Sequence, residues 1–161
     1  MSGASQIVEI RGVSKSYESA NGVVHALEAV SLNVAKGEFV SLIGPSGCGK
    51  STLIKIIGDL LEPSEGTVVV DGLTPREARL KRMFSYVFQN PVLLPWRRVI
   101  DNVRLPLEVL HGEIRDPREL LATVGLAGFE NHYPKELSGG MQQRVVLARA
   151  LTFDPQILLM D

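Results

Sequence analysis

Val30, Leu32 and Val34 alternate with Ser31, Asn33 and Ala35, the period-two pattern of a strand with one buried face. A Lys36-Gly37 turn leads into Phe39-Val40-Ser41-Leu42-Ile43. That nearly continuous apolar run predicts a strand covered on both faces, as in a parallel sheet. Glycine-rich sequence from Gly44 to Gly49 follows, and then Leu53, Ile56, Ile57, Leu60 and Leu61 recur at helical spacing up to Pro63. Residues 67–70 read as a further strand closed by an Asp71-Gly72 turn. Thr74-Pro75-Arg76-Glu77 sets an N-cap, a first-turn proline and a capping-box glutamate in order, predicting a short basic helix to about residue 82. Residues 84–88 form another short strand candidate.

Strand signals vanish from Asn90 to Leu137. Val99, Val103, Leu107 and Leu110 predict a helix kinked near Pro106. Asp116-Pro117-Arg118-Glu119 repeats the cap and proline start of a helix that carries Leu120, Leu121 and Val124 and stops at Gly125. The stretch reads as a helical insertion in an α/β core. Ser138 opens the next helix, with Val145, Val146, Ala148, Arg149 and Leu151 along it, and residues 157–160 form a last apolar strand ending on Asp161.

The loop between the apolar run at 39–43 and its helix carries chemistry. Gly44-Pro45-Ser46-Gly47-Cys48-Gly49-Lys50-Ser51 satisfies G-x-x-x-x-G-K-[ST] at every fixed position, in the strand–loop–helix setting that pattern requires. Glycines let successive backbone N–H groups turn inward around a phosphate, and the helix N-terminus adds its dipole. Lys50 supplies a mobile cation for the β- and γ-phosphates, Ser51 offers a hydroxyl to Mg²⁺, and Thr52 is placed to reach the α-phosphate. Cys48 occupies a variable position of the loop and reads as filler. This pattern implies a nucleoside triphosphate and no particular enzyme.

Leu137-Ser138-Gly139-Gly140-Met141-Gln142-Gln143-Arg144 narrows the choice. It is a serine-capped helix start with exposed glycine N–H groups, and so a second anion site. Its L-S-G-G-x-Q-x-R form, together with the phosphate loop, resembles the ATP-binding-cassette (ABC) family. The resemblance implies a P-loop NTPase nucleotide-binding domain of α/β class, with an antiparallel β subdomain and an inserted helical subdomain. It divides the chain into a β subdomain and P-loop core over 1–89, a helical subdomain over 90–137, and a signature helix with Walker B strand over 138–161. It also implies a head-to-tail homodimer in which Ser138, Gly139, Gly140 and Gln142 complete the partner's ATP site.

By the same resemblance Tyr17 is the aromatic platform for adenine, where stacking is worth about 1–3 kcal/mol. Gln89 is the Q-loop glutamine, orienting the attacking water and a magnesium-bound water. Asp161 closes the Walker B strand as the Mg²⁺-handling carboxylate. Lys50, Gln89 and Asp161 are then the catalytic set within the chain, with ATP and Mg²⁺ as its ligands. In the family a glutamate follows that aspartate, and an inter-subunit loop and a histidine lie further on. The sequence ends at Asp161, so the domain is expected to be incomplete at its C-terminus, and this chain alone is expected to bind ATP weakly without hydrolysing it.

Pro91-Val-Leu-Leu-Pro-Trp-Arg-Arg-Val-Ile-Asp-Asn-Val103 looks like the nitrate/sulfonate/taurine importer ATPases. Its apolar residues beside Trp96, Arg97 and Arg98 form either a docking surface for transmembrane permease subunits or part of the helical core. Docking would make this chain the subunit that energises import of a small anion or organic solute, linked indirectly to a periplasmic or lipoprotein solute-binding protein. The competing readings are a soluble non-transport ABC ATPase and a catalytically incompetent nucleotide-binding fragment.

Composition is consistent with this and excludes little. The 161 residues are 45% hydrophobic and 22% charged with a formal net charge of −1, which gives no bulk attraction to nucleic acid. A single cysteine, Cys48, fits a reducing compartment. His25, His111 and His132 show no ligand spacing with one another or with Cys48. No run approaches the roughly 18 apolar residues of a membrane span, and the first residues lack the pattern of a signal peptide. The expectation is a cytoplasmic chain, peripheral on the inner face of the membrane.

Overall fold

A computed structural model describes residues 5–19, 22–109 and 115–161. His111 and the end of the helix expected to reach Leu110 lie outside the described residues. The chain divides into two compact units, one running to Lys81 and the other beginning at Arg82.

The first unit is built on two 14-residue strands, β1 (Gln6–Ser19) and β2 (Gly22–Ala35), with β3 (Glu65–Val70). They form an antiparallel sheet in the order β2-β1-β3. β1 contributes the buried Ile7, Val8, Ile10 and Val13, and β3 contributes Val68 and Val70. The β1–β2 ladder slips register between Ile10 and Val13 and again around Lys15, which leaves backbone donors without ladder partners. Serines take them up. Ser31 Oγ accepts from Gly12 N at 2.9 Å, Ser14 Oγ from Ala29 N at 2.9 Å, and Ser64 Oγ from Ser16 N at 3.1 Å. At Gly66 (φ +84°) a Cβ would lie 2.3 Å from the Gly12 carbonyl oxygen, so only glycine lets β3 approach the bulge in β1.

Against this sheet lie α1 (Lys50–Ile57), which buries Leu53, Ile56 and Ile57, and α2 (Pro75–Leu80), which buries Ala78. The capping box read from Thr74 and Glu77 is formed: Thr74 Oγ1 accepts from Glu77 N, and Glu77 accepts from Thr74 N. Hydrogen bonds from Thr74, the backbone one first, hold the Glu77 carboxyl below its usual range.

Two expectations here are corrected. α1 ends at Ile57, four residues short of Leu61, with Gly58 as its C-cap, because Asp59 turns left-handed (φ 55°) and leaves Leu60 exposed. Residues 39–43 form no strand. An apolar run becomes a strand only when neighbours supply a hydrogen-bond ladder, and among the described residues this segment has none; Phe39 and Ile43 are 90% and 91% exposed.

The second unit pairs β4 (Phe84–Val87) in parallel with β5 (Ile157–Met160), Phe84 opposite Ile157 and Val87 opposite Met160. With them are α3 (Val99–Val109), α4 (Pro117–Thr123), a 3₁₀ turn (Pro134–Glu136) and α5 (Gly139–Ala150). Pro106 lies inside α3, and Asp116 caps α4 by accepting from Arg118 N at 2.8 Å. Val99, Val103, Leu120, Leu121, Leu126, Val145 and Ala148 make the helical core. A smaller cluster of Val87, Val146 and Ala150 seats α5 on β4. Each fully buried side chain of this size contributes about 1.5–3 kcal/mol.

Candidate functional site

In the first unit the phosphate loop turns through Gly47 (φ +82°) into Gly49, the N-cap of α1, at φ 95° and ψ 1°. A Cβ on Gly49 would stand 2.3 Å from the Ala26 carbonyl oxygen and 2.7 Å from Leu27, so β2 presses directly on the loop. Gly49 supplies no side-chain cap, so the opening of α1 is a backbone-lined helix N-terminus. The Lys50 ammonium lies over the same loop, donating to the carbonyls of Gly44 at 2.8 Å and Pro45 at 2.7 Å, with Cys48 Sγ at 3.4 Å. Pro45 O also accepts from Cys48 N at 3.4 Å, closing the turn through Ser46. Ser51 and Thr52 follow Lys50 in the first turn of α1.

Tyr17 pairs with Val24 across β1 and β2, two residues before Ala26, so the hairpin that carries the ring also braces the phosphate loop. The ring is 40% exposed, and the Lys15 ammonium lies 5.5 Å from its centroid. Beside it, Ser16 and His25 share a hydrogen bond of 2.9 Å.

In the second unit Asp161 follows β5, and its N–H donates to Val87 O at 2.9 Å. Gln89 lies two residues beyond that carbonyl, so the strand-end carboxylate and the exposed loop glutamine leave adjacent parallel strands at the same end. Tyr86 stands on β4 with its ring against Phe88, centroids 4.4 Å apart. Its phenol oxygen is buried outside ordinary hydrogen-bond geometry, though within reach of the Asp161 carboxylate. Burial, and next the negative charge of Asp161, push this phenol up to about 12.

Ser138 caps α5 by accepting from Met141 N at 3.3 Å, which leaves Gly139 and Gly140 as the first exposed turn. A Cβ on either glycine would meet nothing within 4 Å, so this helix start is open space. Gln142 faces inward. Its amide nitrogen donates to Pro134 O at 2.9 Å and Leu137 O at 3.3 Å and so shapes the entry to the helix. Arg144 donates from Nη1 to the carbonyls of Val124 (3.2 Å) and Gly125 (3.4 Å), fastening the helix to the end of α4.

Trp96 is 71% exposed and Val92 is 61% exposed, which takes Trp96 out of the helical core; Leu93 packs into it instead. Arg97 is paired with Glu108, whose hydrogen bond lifts the guanidinium pKa, and Arg98 donates to Asn131 Oδ1 at 3.1 Å.

The residue that builds this turn was not singled out by sequence. Asn102 is fully buried on α3. Its Oδ1 accepts from Leu94 N at 2.7 Å, and its Nδ2 donates toward the carbonyls of Leu94, Arg97 and Arg98 at 3.1–3.2 Å. A lone asparagine among the apolar positions of a helix was the available signal, since buried amides are kept only when fully bonded. Among the described residues no group of three or more His, Cys, Asp or Glu side chains forms a metal cluster.

Comparison with known proteins bears on the family and the fold. The family model described as ABC transporter matches residues 27–161. The chain is 44% identical over 155 residues to an aliphatic sulfonates import ATP-binding protein, SsuB, of Bacillus cereus, covering 96% of this chain and 61% of that protein. It is 46% identical over 141 residues to the taurine import ATP-binding protein TauB of Yersinia pestis bv. Antiqua (strain Antiqua), covering 84% of this chain and 54% of that one. The chain thus spans about three fifths or less of the length of these relatives. Among solved structures it resembles the dimeric post-hydrolysis ATP-binding cassette MJ0796 bound to ADP and Pi, with TM-score 0.84 and 40% identity, over 96% of this chain and 73% of that one.

Proposed function

Because the chain belongs to the ABC transporter family, we propose that it is the ATP-binding subunit of an importer for a small anion or organic solute of the sulfonate or taurine class. The observation that carries this reading is that one chain presents two glycine-opened helix starts, α1 behind Gly49 and α5 behind Ser138. Each suits an anion, and a single triphosphate per chain needs only one of them unless two copies share their sites. The proposed partners are therefore a second copy of the chain and transmembrane permease subunits, with a solute-binding protein acting indirectly through them. The sulfonate and taurine importer subunits it matches support the solute class.

The residues present suit ATP and Mg²⁺. The backbone N–H groups of 47–51 and the Lys50 ammonium would hold the β- and γ-phosphates, and Tyr17 would lie under the base. Ser51 and Asp161 are hard oxygen donors of the kind Mg²⁺ takes; the ion would supply neutralisation of phosphate charge. Gln89 would orient a water at the γ-phosphate through its carboxamide. Ser138, Gly139 and Gly140 would face the phosphates held by the partner's loop, while Gln142 keeps the entry to that helix in shape. On this reading the chain works on the cytoplasmic side, peripheral to the membrane; among the described residues no helix is long and apolar enough to cross one.

The turn that Asn102 builds then presents Trp96, with Arg97 and Arg98 beside it, to the permease. A buried aromatic anchor is worth about 2–4 kcal/mol at an interface. Trp96→Ala in the complete transporter is expected to lower solute uptake at least about tenfold while ATP affinity stays within twofold. Uptake assays in vesicles beside fluorescent-nucleotide titration would check this, and unchanged uptake would remove the docking role.

A further inference from the structure

We propose that Gln143 and Arg149 are positioning residues that clamp the backbone of the loop at Gln89–Val92 to helix α5, so that the placement of Gln89 follows the signature helix. The clamp has two points. Gln143 Nε2 donates to Gln89 O at 2.6 Å, and Arg149 Nη1 donates to Val92 O at 2.7 Å. Both donors stand on α5, and the two carbonyls they grip bracket the loop between β4 and the docking turn.

The loop depends on them. Pro91 contributes no N–H, and the loop lies outside the strand ladder, so side chains from elsewhere must fix its course. Arg149 is an unusual residue for that task. It is half-buried, and among the described residues no carboxylate forms an ion pair with it. Burial accordingly draws its pKa down. A guanidinium kept in a partly desolvated place, with a single carbonyl as its named acceptor, is spent on geometry, because charge-assisted bonds of this kind are short and directional. Six positions apart on α5, Gln143 and Arg149 stand about 9 Å apart along the helix and are offset by about 120° around it, so the two grips hold the loop at separate points of the helix surface. A rigid helix thereby sets the backbone from which the Gln89 carboxamide projects.

The inference deepens the proposed function by adding residues that place Gln89, and it rests on that reading for the meaning of Gln89 but not for the clamp itself. Backbone ¹⁵N relaxation of the purified chain tests it. In the wild type the order parameters at Gln89, Asn90 and Val92 are expected near about 0.85, the value of rigid backbone. Gln143→Leu removes one donor and Arg149→Met the other, and each is expected to drop its end of the loop below about 0.6, with the amides of α5 unchanged. Arg149→Lys retains a donor and is expected to restore Val92. Loop order parameters at the wild-type value in Gln143→Leu, or a loss spread evenly over α5, would overturn the clamp. Should Arg149→Met fail to fold, Gln143→Leu decides alone. A complete transporter that binds no ATP would sink the functional reading and leave the relaxation result standing.

Discussion

A complete transporter carrying Ser138→Arg is expected to bind ATP within about twofold of wild type and to lose at least about 100-fold of its turnover. The expectation follows from where Ser138 is. Its hydroxyl caps α5 by accepting from Met141 N, and the glycines after it open onto empty space. An arginine there removes the cap, at a cost of about 0.5–2 kcal/mol, and fills the space in which a partner's phosphates would lie. Nothing in the first unit, where Lys50 and Gly49 shape the phosphate loop, is altered. Binding and turnover therefore separate, as they do when an interaction made only at the transition state is removed. Nucleotide titration beside a phosphate-release assay checks it. Parallel loss of both would place Ser138 in the chain's own binding site.

The second large effect is on stability. Asn102→Ala is expected to lower the unfolding free energy by about 2–4 kcal/mol, measured by urea denaturation of the purified chain. Its carboxamide accepts from Leu94 N and donates toward three carbonyls at a fully buried site. Truncation strands these groups away from water and adds a small cavity. The docking turn should also loosen, so that quenching of Trp96, the single tryptophan, changes shape as well as extent. A change of less than about 0.5 kcal/mol would show that water replaces the amide at no cost.

The elements that sequence foretold are those whose signals are local. The capping box at Thr74 and Glu77, the Asp116 and Ser138 caps, and the apolar run of β5 each act within a few residues, and each is formed. β1 escaped notice because its bulges break the period-two pattern; its serines in fact repair the ladder. The apolar run at 39–43 misled for the converse reason, since composition signals burial without saying which strand will pair. Within the site, the sequence pointed to residues that would meet a ligand. It was silent on those that hold them, because Gln143 and Gln89 are 54 positions apart and Arg149 and Val92 are 57 apart. Only Asn102, a lone amide on an apolar face, left a mark that periodicity alone shows.

The central claim is that the phosphate loop of one copy and the serine-capped helix of another share a nucleotide. Mixing two inactive proteins tests it directly. Lys50→Ala disables the loop and Ser138→Arg disables the helix, and equal amounts of the two are exchanged into mixed dimers in the complete transporter. If the site is shared, each mixed dimer combines both defects in one site and has one intact site, so turnover should return to roughly a quarter of wild type, half of the dimers being mixed with half of their sites whole. If the mixture stays as inactive as its components although exchange is complete, each copy works on its own nucleotide and the account is wrong.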